Sequence, residues 1–310
     1  MALRQPALHL VLLGLLTAWS GCTTPPVAAP QAERALLLAE AGLQAGQWDD
    51  VDEALAPLAE DACPRRLRDR RDVARARAHL GRGDLWDAYL VLEPFPDDHP
   101  HSDLRPQVAE MVWEIGNALA ASDGGFLFFW SDRRAGRTVL EHLITRHPDS
   151  QHNGDALRIL GDMAFVDENY TLAQQRFQDL MLNHPDSEWF VHAQYRFAMS
   201  VVASLEGPDY DLDRMQHASR ELRNFLATRP ENPAVAQDAE RALVRITEWR
   251  ADRHLRIARF YRRVGNDMGY RHHVTIAAGP EFVATPFHQE AREALAELDT
   301  TAQTSPGATP

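Results

Sequence analysis

The chain has no lysine. All 32 of its basic residues are arginine, a bias that follows genome composition before any special role in recognition. Acidic residues outnumber them at 45, for a net charge of −13. The chain therefore lacks the basic field needed to hold a nucleic acid, and the surplus charge reads as solubility. Cysteine is scarce, with only Cys22 and Cys63. If Cys22 is consumed by modification, no intramolecular disulfide can form and stability has to come from packing, which a chain of 310 residues can supply. Long apolar runs are missing too: the stretch Leu8 to Ala18 is roughly 11 residues, too short to cross a bilayer of ~30 Å as a helix. No segment alternates apolar and polar residues as a strand would, so the class is all-α. There is no Gly-rich phosphate loop, no Ser-centred nucleophile elbow and no Cys–His pair with a supporting acid, so nothing marks an enzyme or a cofactor site. Histidine is plentiful at 14, yet His99 with His101, His147 with His152, and His272 with His273 lack the spacing of metal ligands. They read as turn and helix-end residues.

What is present begins with Arg4, the apolar stretch Leu8 to Ala18, and then Trp19-Ser20-Gly21-Cys22. This is the layout of a secretory signal peptide over 1–21. Its end resembles the bacterial lipobox, with Trp19 where Leu is usual. The resemblance implies cleavage before Cys22 and a covalent lipid on that residue. The segment Thr23 to Gln31, TTPPVAAPQ, has no hydrophobic period and reads as an extended tether, so 22–31 is the lipidated cysteine and its linker. Thr23 in place of an Asp implies, by the same resemblance, the periplasmic face of the outer membrane.

The rest repeats. His147-Pro148-Asp149-Ser150 recurs as His184-Pro185-Asp186-Ser187, followed by a looser Arg229-Pro230-Glu231-Asn232. Between the first two lie Leu157, Leu160, Gly161 and Ala164, then Ala173, Phe177 and Pro185, in the pattern of a tetratricopeptide repeat of ~34 residues. Gly161 and Ala173 are predicted to face each other where the two helices of this hairpin cross. The same template places Gly42, Ala54 and Leu58 in a first unit and Ala76, Ala88, Leu92 and Pro100 in a second. A third unit contains Gly136 and Leu140 and is lengthened by Ser122 to Trp130. A fifth unit contains Ala198, Ala218 and Leu222 and is lengthened by Gly207 to Asp211, and both insertions are expected on one rim. A long helical pattern follows from about Ala234 to Val264, and a last helix is expected near Pro286 to Leu298. The predicted fold is an all-α tetratricopeptide right-handed solenoid of about five to six hairpins: hairpins over 32–148 and 149–264, a degenerate repeat and cap over 265–299, and a disordered tail over 300–310.

An N-terminal lipobox joined to about five such hairpins resembles the BamD-like outer-membrane lipoproteins. The local match is Ala251 to Arg263, with His254, Leu255, Ala258, Phe260 and Tyr261 in family order. It covers about Ser150 to Arg263, and the longer loop of the fifth unit agrees. After Gly265 the family continues as a regular repeat, whereas Asn266 to His273 reads here as an interruption. The resemblance implies a scaffold in outer-membrane β-barrel assembly, with a BamA-like barrel-assembly protein docking on the C-terminal hairpins and unfolded outer-membrane proteins received by the N-terminal ones. The alternative is another envelope tetratricopeptide lipoprotein, serving division, secretion or pilus assembly.

Candidate surfaces follow from the repeat. First helices line the inner face of such a solenoid, which puts Asp155, Arg158, Asp162 and Phe165, then His192, Tyr195 and Met199, in a groove suited to a peptide. On the family-like segment Tyr261 is expected inward, leaving Arg259, Arg262 and Arg263 outward for carboxylates of a partner. Arg65 to Arg77 form a basic stretch whose spacing offers Arg65–Asp69 and Arg68–Asp72 pairs along a solvated helix face. Cys63 is expected as a buried free thiol in a turn. Phe126 to Trp130 reads as a core contact of the third unit, with docking as the competing reading.

Overall fold

The computed structural model describes residues 27–59, 62–122, 132–209 and 211–304. The insertions at Ser122 to Trp130 and Gly207 to Asp211 lie wholly or partly outside these residues, as do the signal segment, Cys22 and the end of the tail. The described residues are helical, with fourteen α-helices and no strand. None of these helices is long and apolar enough to cross a membrane. The chain divides after Val91 into two compact units, rather than at the 148/149 step between the expected groups of repeats.

The first unit contains α1 (Ala29–Ala45), α2 (Trp48–Leu55), α3 (Arg68–Arg82) and all but the last residue of α4 (Leu85–Leu92). Leu36, Val51, Leu58 and Ala78 are fully buried in its core together with Cys63, which is free and 1% exposed. Burial raises the pKa of the Cys63 thiol and makes it a structural rather than a reactive group. The arginines of the basic stretch reach across helices: Arg66 bonds Glu33 at 2.8 Å and Arg70 bonds Glu40 at 2.6 Å, both on α1.

The second unit contains α5 (Phe95–Asp98), α6 (Arg105–Ala121), α7 (Asp132–Arg146), α8 (Asn153–Val166), α9 (Tyr170–Asn183), α10 (Phe190–Ala203), α11 (Leu212–Ala227), α12 (Pro233–Arg263), α13 (Asp267–Ala277) and α14 (Phe287–Thr304). Consecutive helices pack as hairpins: α6 with α7, α8 with α9, α10 with α11, and α12 with α13. The first helices also touch one another in series, α6 to α8 to α10 to α12 to α14. They form one continuous layer, the arrangement of a tetratricopeptide stack.

Two kinds of turn make these hairpins. In four hairpins, α1–α2, α3–α4, α8–α9 and α12–α13, the chain reverses through one residue of positive φ: Gly46, Gly83, Glu168 and Gly265. The next N–H then donates back five residues, from Gln47 to Gly42, Asp84 to His79, Asn169 to Ala164 and Asn266 to Tyr261, all at 2.9 Å. This is the Schellman closure, which satisfies carbonyls that the helix end leaves bare. Between hairpins the His-Pro-x-Ser turn operates three times. The N–H of His99, His147 or His184 donates to the carbonyl four residues back, and the hydroxyl of Ser102, Ser150 or Ser187 accepts the N–H two residues on. Asn232 does the same for α12, accepting from Ala234 at 3.0 Å.

Three expectations change. Asn266 to His273 is no interruption, because Gly265 is an ordinary hairpin turn and Asn266 caps α13 through the Gly269 N–H at 2.9 Å. The final helix runs on to Thr304, since no breaker intervenes and Thr300 bonds back to Ala296 at 2.9 Å. The close approach at Gly161 is to Phe177, not Ala173: in an antiparallel pair turning at Glu168, the residue opposite Gly161 lies beyond Ala173. Ala173 shares the same core with Ala164, Leu157 and Leu180.

Candidate protein-binding face

The layer of first helices carries a connected polar network. Asp162 on α8 accepts Arg196 Nε at 2.8 Å and His192 Nε2 at 3.2 Å, both from α10, and Arg158 from its own helix at 3.4 Å. Two turns earlier on α8, Asp155 accepts the Trp189 indole N–H at 2.7 Å. The arginines lie over aromatic rings, Arg158 at 4.4 Å from Trp189 and Arg196 at 3.9 Å from Phe165, where the ring faces attract cations. Burial raises the Asp162 pKa, but the bonds and charges of His192 and Arg196 outweigh it and hold the carboxyl below its usual value.

Of the seven residues expected in the groove, Asp155, Arg158, Asp162, Phe165 and His192 therefore come together. They are joined by Trp189 and Arg196, which the reading of single helices missed. Tyr195 turns the other way and donates its hydroxyl to Asp238 on α12 at 2.7 Å. Its own pKa is pushed up to about 12, by burial first and Asp238 second, and Asp238 is lowered chiefly by that bond. Met199 packs on the core formed by Val202, Met215, Leu222 and Ile246. A signal for the missed partners was present: Asp155 and Trp189 are 34 residues apart, as are Asp162 and Arg196. Complementary groups one repeat apart meet on neighbouring first helices.

A second surface lies on the last turns of α12. Arg256, Arg259, Arg262 and Arg263 line a shallow concavity of about 590 Å³. Arg256 is held by Asp252 at 2.8 Å and also reaches Asp209. Arg259 bonds Glu290 of α14 at 2.6 Å. Arg262 donates to the Tyr270 hydroxyl at 3.5 Å. Tyr261 is turned inward, stacked on His273 and against Gly269, while Phe260 is 50% exposed beside Val264 at 58% and Met268 at 85%. The surface thus combines cations held at the C-terminal end of a helix, where they complement its dipole, with exposed apolar groups. Arg256, Val264 and Met268 add to the three arginines read from the sequence.

One group among the described residues, His79, Asp84 and Asp87, brings potential metal ligands within 4.8 Å of one another. Arg82 already bonds Asp84 at 3.2 Å, and both carboxylates are exposed, so the group works as an ion-paired helix turn.

Residues 130–269 match the family model of the YfiO outer membrane lipoproteins. No curated protein matches. Among solved structures, the tetratricopeptide domain of P58(IPK) aligns at 13% identity and a TM-score of 0.30, covering 90% of this chain and 67% of that one. A tetratricopeptide repeat protein from Parabacteroides merdae aligns at 13% identity and a TM-score of 0.36, covering 86% and 98%. At such scores these two alignments add nothing to the hairpin pattern described above.

Proposed function

We propose that this chain is a lipid-anchored scaffold on the periplasmic face of the outer membrane that binds partner proteins during assembly of β-barrel proteins. The observation that carries the reading is the family match over 130–269, which takes in the polar network of α8 and α10 and ends beyond the arginine surface of α12. In this reading Cys22 bears the lipid and the layer of first helices takes unfolded outer-membrane proteins. Arg259, Arg262 and Arg263 receive carboxylates of a BamA-like barrel-assembly protein, with Phe260, Val264 and Met268 supplying apolar contact. Guanidinium suits such a surface because it binds carboxylate through two parallel bonds.

The test is crosslinked co-purification from membranes. The wild-type chain is expected to recover a barrel-assembly protein, and the double change Arg262→Glu with Arg263→Glu is expected to reduce that recovery at least about tenfold, the effect of ~1.4 kcal/mol of lost binding. Undiminished recovery removes the arginine surface from the reading. Recovery of only division, secretion or pilus proteins moves the chain to another envelope scaffold.

A further inference from the structure

The α12–α13 hairpin contains a pair of histidines that partner binding does not use. His254, 8% exposed on α12, places its Nδ1 3.0 Å from the Nδ1 of His273 on α13. Two ring nitrogens at that distance are joined by a single hydrogen: one ring donates and the other accepts. The bond requires a free lone pair on the accepting nitrogen: a first proton, taken on the donor ring's other nitrogen, leaves it in place, and only a second, on the accepting ring, ends it. A proton added to the accepting nitrogen turns the two N–H groups against each other.

The surroundings offer little compensation for that second charge, because Glu281 favours it less than burial, His273 and Arg250 oppose it. On α12, Arg250 is 6% exposed and its guanidinium bonds Glu281 at 3.0 Å and 3.3 Å, while Asp252 is held by Arg256. The Tyr261 ring stacks on His273 at 5.6 Å and 16°. On α13, His272 meets His273 edge-on at 5.1 Å. From the turn Pro280–Phe282, Phe282 stands 6.2 Å from His254, and Glu281 is engaged by Arg250 and approached by Arg223 of α11 at 4.0 Å. From α14, Glu290 and Asp299 are bonded to Arg259 and Arg271. Every one of these carboxylates already has an arginine, and the remaining neighbours are aromatic or cationic.

We propose that the His254–His273 pair is an acid-sensitive latch that holds α13 and α14 against α12 while its accepting nitrogen is free and releases them when both rings are protonated. Burial first, then the positive charges of His273 and Arg250, keep His254 at about 4, and burial lowers His273 as well. Both rings bind protons more readily once the hairpin opens. The closed form therefore has its full stability above the ordinary value of 6.5 and loses it as pH falls from there toward about 4. Release uncovers the small cores beneath, Ala258, Tyr270 and Val274 on one side and Leu255, Ala277 and Ala291 on the other.

The experiment is hydrogen exchange on the full-length chain with Cys22→Ser, at about pH 7.5 and about pH 5, each amide corrected for its intrinsic exchange rate. Protection at Tyr270, Val274 and Ala277 is expected to fall at least ~tenfold at the lower pH, while that of α8 and α9 holds. His273→Asn keeps a donor and an acceptor but does not titrate in this range, and its α13 protection is expected to change by less than ~twofold between the two pH values. His254→Asn is read in the same way if that variant fails to fold. Equal loss in α9, no loss in α13, or the same loss in the asparagine variant overturns the proposal.

Discussion

A Cβ placed on Gly161 would lie 2.7 Å from Cε1 and Cζ of Phe177. The α8 backbone and the Phe177 ring are thus in contact with no room for a methyl, and the ring is itself fully buried. Gly161→Ala gains up to ~1 kcal/mol of helix propensity but overpacks the crossing at a cost of ~1–3 kcal/mol. The urea midpoint is expected to fall. Shortening the ring as well, with Phe177→Leu, should cost less than the two single changes added together. A midpoint equal to or above wild type for Gly161→Ala is incompatible with the packing described.

Asp162 is the hub of the inner network, so Asp162→Asn leaves Arg196 and Arg158 half-buried without their counter-charge. The expected loss is ~1–3 kcal/mol of stability, against under ~1 kcal/mol for Asp167→Asn at the exposed pair with Arg137. The carboxyl titrates below its usual 3.8. The Asp162 contribution is therefore complete above that value and disappears as pH falls below it. Denaturant melts of both variants at neutral pH measure the difference, and equal losses would show that the hub carries no special weight.

His147 is 5% exposed, and its Nε2 has no hydrogen-bond partner. Burial first, and then the positive charges of His142, Arg105 and Arg146, bring its pKa down to about 4. The turn between α7 and α8 is therefore fully stabilised above 6.5 and weakens as pH drops toward about 4. In His147→Gln the dependence of unfolding free energy on pH should be shallower than in wild type across that window, by at most ~1.4 kcal/mol per pH unit. Parallel stability curves for the two proteins would contradict the assignment.

Cys22→Ser should move the protein from the membrane fraction to the soluble periplasm without changing its helical circular dichroism, because the cysteine precedes α1 and the first-unit core. Mass spectrometry of the wild-type N-terminus should find a diacylglycerol thioether on Cys22. An unmodified cysteine, or an N-terminus elsewhere, removes the membrane anchor from the functional reading.

Much of the hairpin order was legible because its determinants are local. Pro148 and Pro185 stop helices, Ser150 and Ser187 hold the turn before the next by accepting the N–H of His152 and Trp189, and the apolar spacing between them marks two helices of known phase. The third use of that turn, at His99 to Ser102, is equally local, with Pro100 following the histidine and Ser102 accepting the Leu104 N–H. A glycine, by contrast, has two local meanings. Gly265 looks like a break in a long helix, yet Gly46 and Gly83 show the same residue type serving as a hairpin turn. Glu168 makes the corresponding turn with no glycine to announce it.

The sequence by itself determined the all-α class, the repeat, the burial of Cys63 and the inward turn of Tyr261, because each follows from the 3.6-residue period of a single helix and the chemistry of its ends. Only the tertiary structure decided which residues meet between helices. Asp162 with Arg196, Tyr195 with Asp238 and His254 with His273 lie 34, 43 and 19 residues apart. Each pairing depends on the stagger between successive helices, and hence on loop length, so the separation grows to 43 where the fifth unit is lengthened. Helical phase sets which face a residue occupies. What stands opposite that face is set by how the hairpins pack.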